Sequence, residues 1–444
     1  LQPTASDHWQ LEKHCLTHAR RALTLSFSDR RAVITGVGTV APGAIGAKEF
    51  WDLLAAGRTA TRRITQFDAS RYRSQIAAEC DFDPVIQGLS PQETRRLDRA
   101  AQFAVVAARE ALDDSGLEFD RIDPARTGVA FGSAVGCTTT LEREYVVSSD
   151  GGDKWLVDPE YTWPHLYDSF VPSSMAAELA VLAGAEGPAS VISTGCTSGI
   201  DAVGYAADLI ADGSAEVVIS GASDAPLSPI TTVCFDVIRA SSRRNDDPEH
   251  ACRPFDRTRD GLVLGEGAAV LILEELEHAR RRGARIYAEV SGYASRCNAY
   301  HMTGLKPDGR EMAEAIRIAL DEARADPTAV DYINAHGSGT KQNDRHETAA
   351  FKRSLGDHAY RTPVSAFKSM IGHSLGAIGS LEIVGCLLAL NEGIIAPTAN
   401  LHEPDPECDL DYVPLVAREQ RVRTALTVGS GFGGFQSAAV LSRV

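Results

Sequence analysis

The 444-residue chain is 44% hydrophobic and 23% charged, the balance of a globular protein long enough to bury a large core without disulfides. Its formal net charge of −16 argues against nucleic-acid binding, which needs a basic face, and no run of about 18 apolar residues suggests a membrane span. Nine cysteines without paired or metal-ligating spacing fit reduced thiols in a cytoplasmic protein better than a disulfide framework.

Residues 1–28, which include His8, His14 and His18, lack the apolar stretch of a signal peptide. They read as an N-terminal extension with a short helix over 11–23 and no assigned role. Residues 31–38 read as a buried strand entering a glycine turn. Over 93–115 the apolar residues Leu97, Ala101, Ala104, Val105, Ala108 and Leu112 recur at helical spacing and stop at Gly116. Strands are predicted over 127–132, 217–221 and 270–274. The alternation points to an α/β architecture on buried sheets.

A weak internal repeat suggests two related halves. Gly199 stands three residues after Cys196, followed by a helix to Asp212 and by Gly213; Gly376 stands three after His373, followed by a helix to about Leu390 and by Gly393. Each half then returns to a strand ending in glycine, at Gly221 and Gly429. The boundary is expected at a charged helix over 274–282, before a strand over 286–290. That divides the chain into 29–280, with the cysteine, and 281–444, with the histidines.

Cys196 lies where a strand breaks into a helix, in Val191-Ile-Ser-Thr-Gly-Cys-Thr-Ser-Gly. A helix N-terminus favours an anion by roughly 0.3–1 kcal/mol, and up to about 2 when partly buried, enough to lower a thiol pKa by about one unit. The same turn offers N–H groups to an oxyanion. Against this stands the ordinary role of cysteine as a small buried hydrophobe. His336 and His373 follow strand-like segments beside glycines, and Lys368 precedes His373. A metal site drawing on His336, Asp344, His346 and His373 is the rival idea, but no ligand spacing supports it, and none is expected. The glycine-rich turn 429–435 lacks the Gly-Lys-Ser/Thr of a phosphate loop. It reads as a backbone N–H donor with Phe432 as a gate.

Thr194-Gly-Cys196-Thr-Ser-Gly, Asn334-Ala-His336-Gly-Ser-Gly-Thr, Lys368-Ser-Met-Ile-Gly-His373 and Gly431-Phe432-Gly-Gly together resemble the signature set of β-ketoacyl synthases, in family order over residues 30–444. The resemblance implies a thiolase fold, with duplicated βαβ halves in a five-layered α-β-α-β-α arrangement. Lys341-Gln-Asn-Asp-Arg-His-Glu-Thr, Ser374-Leu-Gly-Ala-Ile-Gly and Gly-Phe-Gly-Gly-Phe-Gln436 are most similar to the ketosynthase-α subunit of bacterial type II polyketide synthases.

By that resemblance Cys196 holds the acyl chain, the N–H groups of Cys196 and Phe432 form the oxyanion hole, and His336 and His373 stabilise an enolate as neutral donors. Lys368 tunes the surroundings of His373, and Glu347 matches a buried carboxylate near the site. Thr138 and Thr139 are pocket candidates, and Arg62, Arg63, Arg243 and Arg244 are candidates for docking an acyl carrier protein. The implied partners are that carrier, which brings the phosphopantetheine arm so that no other cofactor is needed, and a chain-length factor in a heterodimer. A homodimeric fatty-acid-type synthase is the alternative with the same chemistry. A non-catalytic assembly subunit and a Cys–His hydrolase are alternatives of other classes.

Overall fold

The computed structural model describes residues 30–118, 121–136, 138–154 and 158–444; the extension 1–28, with its predicted helix, lies outside them. An eleven-stranded sheet runs in the order Val364–Ser365, Tyr332–Asn334, Thr424–Gly431, Phe435–Ser442, Ala288–Cys297, then Ala32–Ala41, Gly267–Glu275, Val217–Asp224, Thr127–Gly132, Ala189–Ile192, with Ala44–Ile45 paired off the path. From the central pair outward each side repeats the same pattern. Two antiparallel neighbours are followed by two parallel ones. The two central strands also shift register at the same place, between Ile34 and Gly36 and between Val290 and Gly292. They meet through only two residue pairs, Val33 with Glu289 and Ile34 with Ala288.

Helix Arg99–Ser115 packs on the outer face of the N-terminal strands, and helix Arg310–Glu322 does the same for the C-terminal strands. Helices Ser198–Ala211 and Ile378–Glu392 lie between the two sets of strands and touch both. The arrangement is five-layered, α-β-α-β-α. The two inner helices cross at their first turns, where side chains larger than hydrogen have no room. A Cβ on Gly199 would stand 2.6 Å from the Ser380 N, and one on Gly379 would stand 2.8 Å from the Ile200 Cγ1. Gly199 therefore corresponds to Gly379, so the repeat read from sequence is three residues out of register. The corresponding 3₁₀ turns are Gly195–Thr197 and Leu375–Ala377.

Other differences have local causes. The predicted helix 93–115 is two helices, Pro91–Arg96 and Arg99–Ser115. Leu97 is extended, and Asp98 caps the second helix by accepting from the Ala101 N–H. The predicted charged helix 274–282 begins only at Leu276, because Glu274 is still inside strand Gly267–Glu275. The segment Leu375–Glu392 has the length and hydropathy (1.4) of a membrane span, although Ser380, Glu382, Asn391 and Glu392 interrupt its apolar residues. Buried over 83% of its length, it is a core helix whose apolar surface faces protein on every side.

Candidate active site

Strand Ala189–Ile192 ends two residues before Gly195, whose φ of 62° turns the chain into Gly195–Thr197 and then into helix Ser198–Ala211. Cys196 is thereby buried at the helix mouth, at one wall of a cavity of about 510 Å³. The backbone N–H groups of Phe432 and of Cys196 itself donate toward its sulfur. The helix-end argument predicts a lowered thiol pKa, but burial outweighs the Lys368 charge and these two donors. The Cys196 thiol is pushed up to about 11, so the side chain rests as a thiol with two backbone N–H groups directed at its sulfur.

His336 follows strand Tyr332–Asn334, and His373 follows the short helix Lys368–Ile371. Both are buried in the same cavity wall as Cys196. Their ring centroids are 5.2 Å apart and nearly perpendicular, at 78°. The Leu375 N–H donates to the His373 Nδ1 at 3.2 Å, which leaves the proton of a neutral ring on Nε2. Leu375 does this with a φ of 49°, a strained conformation for a leucine. Burial first, and the Lys368 charge second, hold both imidazoles well below the usual histidine range. Both rings are therefore neutral at physiological pH.

Lys368 is fully buried, and it does not bond the His373 ring. Its Nζ donates to the His336 carbonyl at 2.5 Å and to the Glu382 Oε1 at 2.6 Å. Glu382 was not singled out in the sequence. Its signal is that it is the only carboxylate, and the only charged residue type, in the largely apolar stretch 375–391. Burial lifts its carboxyl to about 7 despite the lysine. Glu347 is buried one step further back. It accepts from the Gly337 N–H at 2.8 Å, and burial together with the Asp344 charge holds it well above the carboxylate range. It braces the His336 turn as a neutral acid.

Asp224, also missed, closes an apolar strand. It accepts from Ser133 Oγ, from the N–H groups of Ala134 and Val135, and from the Gly376 N–H at 2.7 Å. It thereby ties the His373 turn to the turn that precedes Thr138. The rival metal set is dispersed, with Asp344 committed to the buried Arg259 at 3.0 Å and the His346 Nδ1 to the Lys306 carbonyl.

Thr138 and Thr139 open helix Thr138–Ser148 and do not line this cavity; the Thr139 hydroxyl donates to the Ala225 carbonyl. Cys137 lies outside the described residues. Arg62 is engaged with Glu79 and Asp81, and Arg63 is exposed on the same short strand, Thr61–Arg63. Arg243 and Arg244 flank the site without lining it: the Arg243 N–H donates to Asp260, and the Arg244 guanidinium donates to the Thr258 carbonyl. Three cations line the cavity, the buried Arg259 and the exposed Arg239 and Lys341. Phe432 stacks on Phe235 with centroids 6.1 Å apart and lines the same cavity.

Residues 29–279 match the β-ketoacyl synthase N-terminal domain and residues 287–402 its C-terminal domain. The chain is 67% identical to the tetracenomycin polyketide synthase ketoacyl synthase alpha subunit of Streptomyces glaucescens, over 94% of this chain and 98% of that one. Among solved structures, it resembles a type II polyketide synthase acyl-carrier protein in complex with its ketosynthase bound to the hexaketide. The TM-score there is 0.88 and the identity 39%, covering 94% of this chain and 99% of that one. The ishigamide ketosynthase/chain length factor gives a TM-score of 0.85 and 36% identity, covering 94% and 99%.

Proposed function

The chain belongs to the β-ketoacyl synthase family, and we propose on that footing a working cycle for it as the ketosynthase-α of a type II polyketide synthase. It is an acyltransferase that forms carbon–carbon bonds by decarboxylative Claisen condensation of malonyl-acyl carrier protein with a cysteine-bound acyl chain. Ketosynthases of this family use no cofactor of their own, and the phosphopantetheine arm belongs to the carrier.

The carrying observation is that Cys196, His336 and His373 share one cavity with the Phe432 backbone. Cys196 attacks the acyl thioester: a carbon–sulfur bond forms, and the carrier thiol leaves with the proton. The N–H groups of Cys196 and Phe432 hold the tetrahedral oxyanion. Malonyl carrier then enters, its carboxylate leaves as carbon dioxide, and the enolate oxygen accepts from the two neutral histidines. The enolate carbon attacks the acyl carbonyl, and the Cys196 sulfur departs. Lys368, paired with Glu382, fixes the His336 backbone, and its charge adds to the burial that keeps both rings neutral.

The partner in this reading is a chain-length factor. An apolar groove lined by Pro159, Trp163, Tyr167 and Phe170, with Tyr167 and Phe170 largely exposed, supports a second subunit there. Cysteines 80, 196, 234, 252, 297, 386 and 408 are free, which supports a reducing cytoplasmic setting. The test is intact mass after incubation with malonyl carrier protein, with and without a co-expressed chain-length factor. A Cys196 adduct that lengthens only with the partner is expected. Elongation by the protein alone would favour the homodimeric fatty-acid-type alternative. No adduct would revive the assembly subunit, and hydrolysis without condensation would point to a hydrolase.

A further inference from the structure

The two oxyanion donors come from different halves of the chain, Cys196 from the N-terminal half and Phe432 from the C-terminal half. Something must fix their separation. Behind the Cys196 turn, in the first turn of helix Ser198–Ala211, lies Asp201, 3% exposed. One carboxylate oxygen is 2.5 Å from the Thr194 Oγ1 and 2.8 Å from the Thr197 Oγ1, the hydroxyls that bracket Cys196. The other accepts from the Tyr293 hydroxyl at 2.8 Å and from the Ser437 Oγ at 2.5 Å. Tyr293 lies on strand Ala288–Cys297 and Ser437 on strand Phe435–Ser442, which leads directly out of the Phe432 turn. No cation touches this carboxylate in any of these contacts; hydroxyls from both halves satisfy it.

A second feature shows that the arrangement is built. The ring of Tyr293 lies against Gly204, one turn along the same helix. Any Cβ there would stand 2.3–2.5 Å from three ring carbons. The missing side chain is the seat that lets the tyrosine hydroxyl reach Asp201. The gate strand also packs directly on the nucleophile turn: a Cβ on Gly431 would stand 3.0 Å from the Thr194 O and 3.2 Å from the Cys196 N. A shift of one half against the other would therefore be felt at the sulfur.

We infer that Asp201 is a positioning residue that clamps the Cys196 turn to the strand leaving the Phe432 gate, Phe435–Ser442, and to that strand's neighbour Ala288–Cys297, and so sets the oxyanion hole. This rests on the proposed reading of Cys196 as the acyl carrier. Asp201→Asn keeps the volume but turns one acceptor oxygen into an N–H donor, so the hydroxyls on that side lose their acceptor.

The experiment uses the full chain with its co-expressed partner and follows two half-reactions. One is acylation of Cys196 by an acyl carrier thioester, read by time-resolved intact mass. The other is carbon dioxide release from malonyl carrier protein, which draws on His336 and His373. D201N is expected to slow acylation at least tenfold, approaching the roughly 100–1000-fold cost of losing an oxyanion donor outright. Decarboxylation is expected to change little, even where the lost hydrogen bonds lower the melting temperature by a few degrees. Y293F and Gly204→Ala should each give a smaller loss in the same half-reaction. Equal losses in both half-reactions with a lower melting temperature would reduce Asp201 to a structural role and overturn the inference. Undiminished acylation would also overturn it. If D201N does not fold, Y293F decides by the same criteria. Absence of acylation in the wild type would count against the proposed function itself.

Discussion

Cys196 and His373 stand at corresponding helix mouths: the 3₁₀ turns Gly195–Thr197 and Leu375–Ala377 open two inner helices that meet at Gly199 and Gly379, although His373 comes two residues before its turn and after the short helix Lys368–Ile371. Their chemistry differs. The ionisable group behind Cys196 is Asp201, satisfied by four hydroxyls, whereas behind His373 lies the buried Lys368–Glu382 pair. The duplicated backbone supplies two helix mouths at one cavity. In the proposed cycle the side chains make one of them the nucleophile's seat and the other the place where an enolate is stabilised.

The sharpest way to break that division is to remove the nucleophile. Cys196→Ala is expected to lower condensation by roughly 10⁴–10⁶-fold with an unchanged melting temperature; normal product formation would end the assignment. His336→Ala or His373→Ala should cost about 10²–10³-fold in carbon dioxide release while leaving Cys196 able to accept an acyl group. Loss of acylation to the same degree would mean that the two turns do not divide the work.

Because burial sets the Cys196 thiol near 11, its alkylation by iodoacetamide in the free protein should rise about tenfold per pH unit, following the thiolate fraction, and level only near that value. A plateau at neutral pH would show that the helix end and Lys368 win after all.

The halves differ in their sheets too. Glu274 and Ser442 hold matching places, opposite Val33 and Glu289. Burial would raise the Glu274 carboxyl, but hydrogen bonds from Arg282, His278 and Thr35 outweigh it and bring it to about 2, from 4.5. The group therefore contributes stability above pH 4.5 and loses it as pH falls toward 2. That shift corresponds to about 3 kcal/mol. Glu274→Gln should remove a comparable amount at neutral pH and flatten the acid limb of the unfolding curve. Urea unfolding as a function of pH reads both.

The smallest effect belongs to the cavity mouth. Arg239→Glu or Lys341→Glu should raise KM for carrier-bound substrate about two- to fivefold at low salt, and less at high salt. A larger effect from Arg244→Glu would move the dock away from the mouth.

Much of this was legible in the chain itself. Residue types and neighbours single out Cys196, His336, Lys368 and His373, because such chemistry needs small flanking residues where a backbone turn must meet a ligand. The strand–helix alternation gives the α/β class because strand and helix periods are local properties. The register of the repeat, the break at Leu97 and Asp98, and the end of strand Gly267–Glu275 were not legible, because capping and burial decide them. Nor could the sequence reveal that Lys368 meets Glu382, 14 residues away, or that Asp201 meets Ser437, 236 residues away. Sequence determined which groups are candidates for the chemistry. The tertiary structure decided their protonation, since the burial that raises the thiol and lowers the imidazoles exists only once the two halves close on one another.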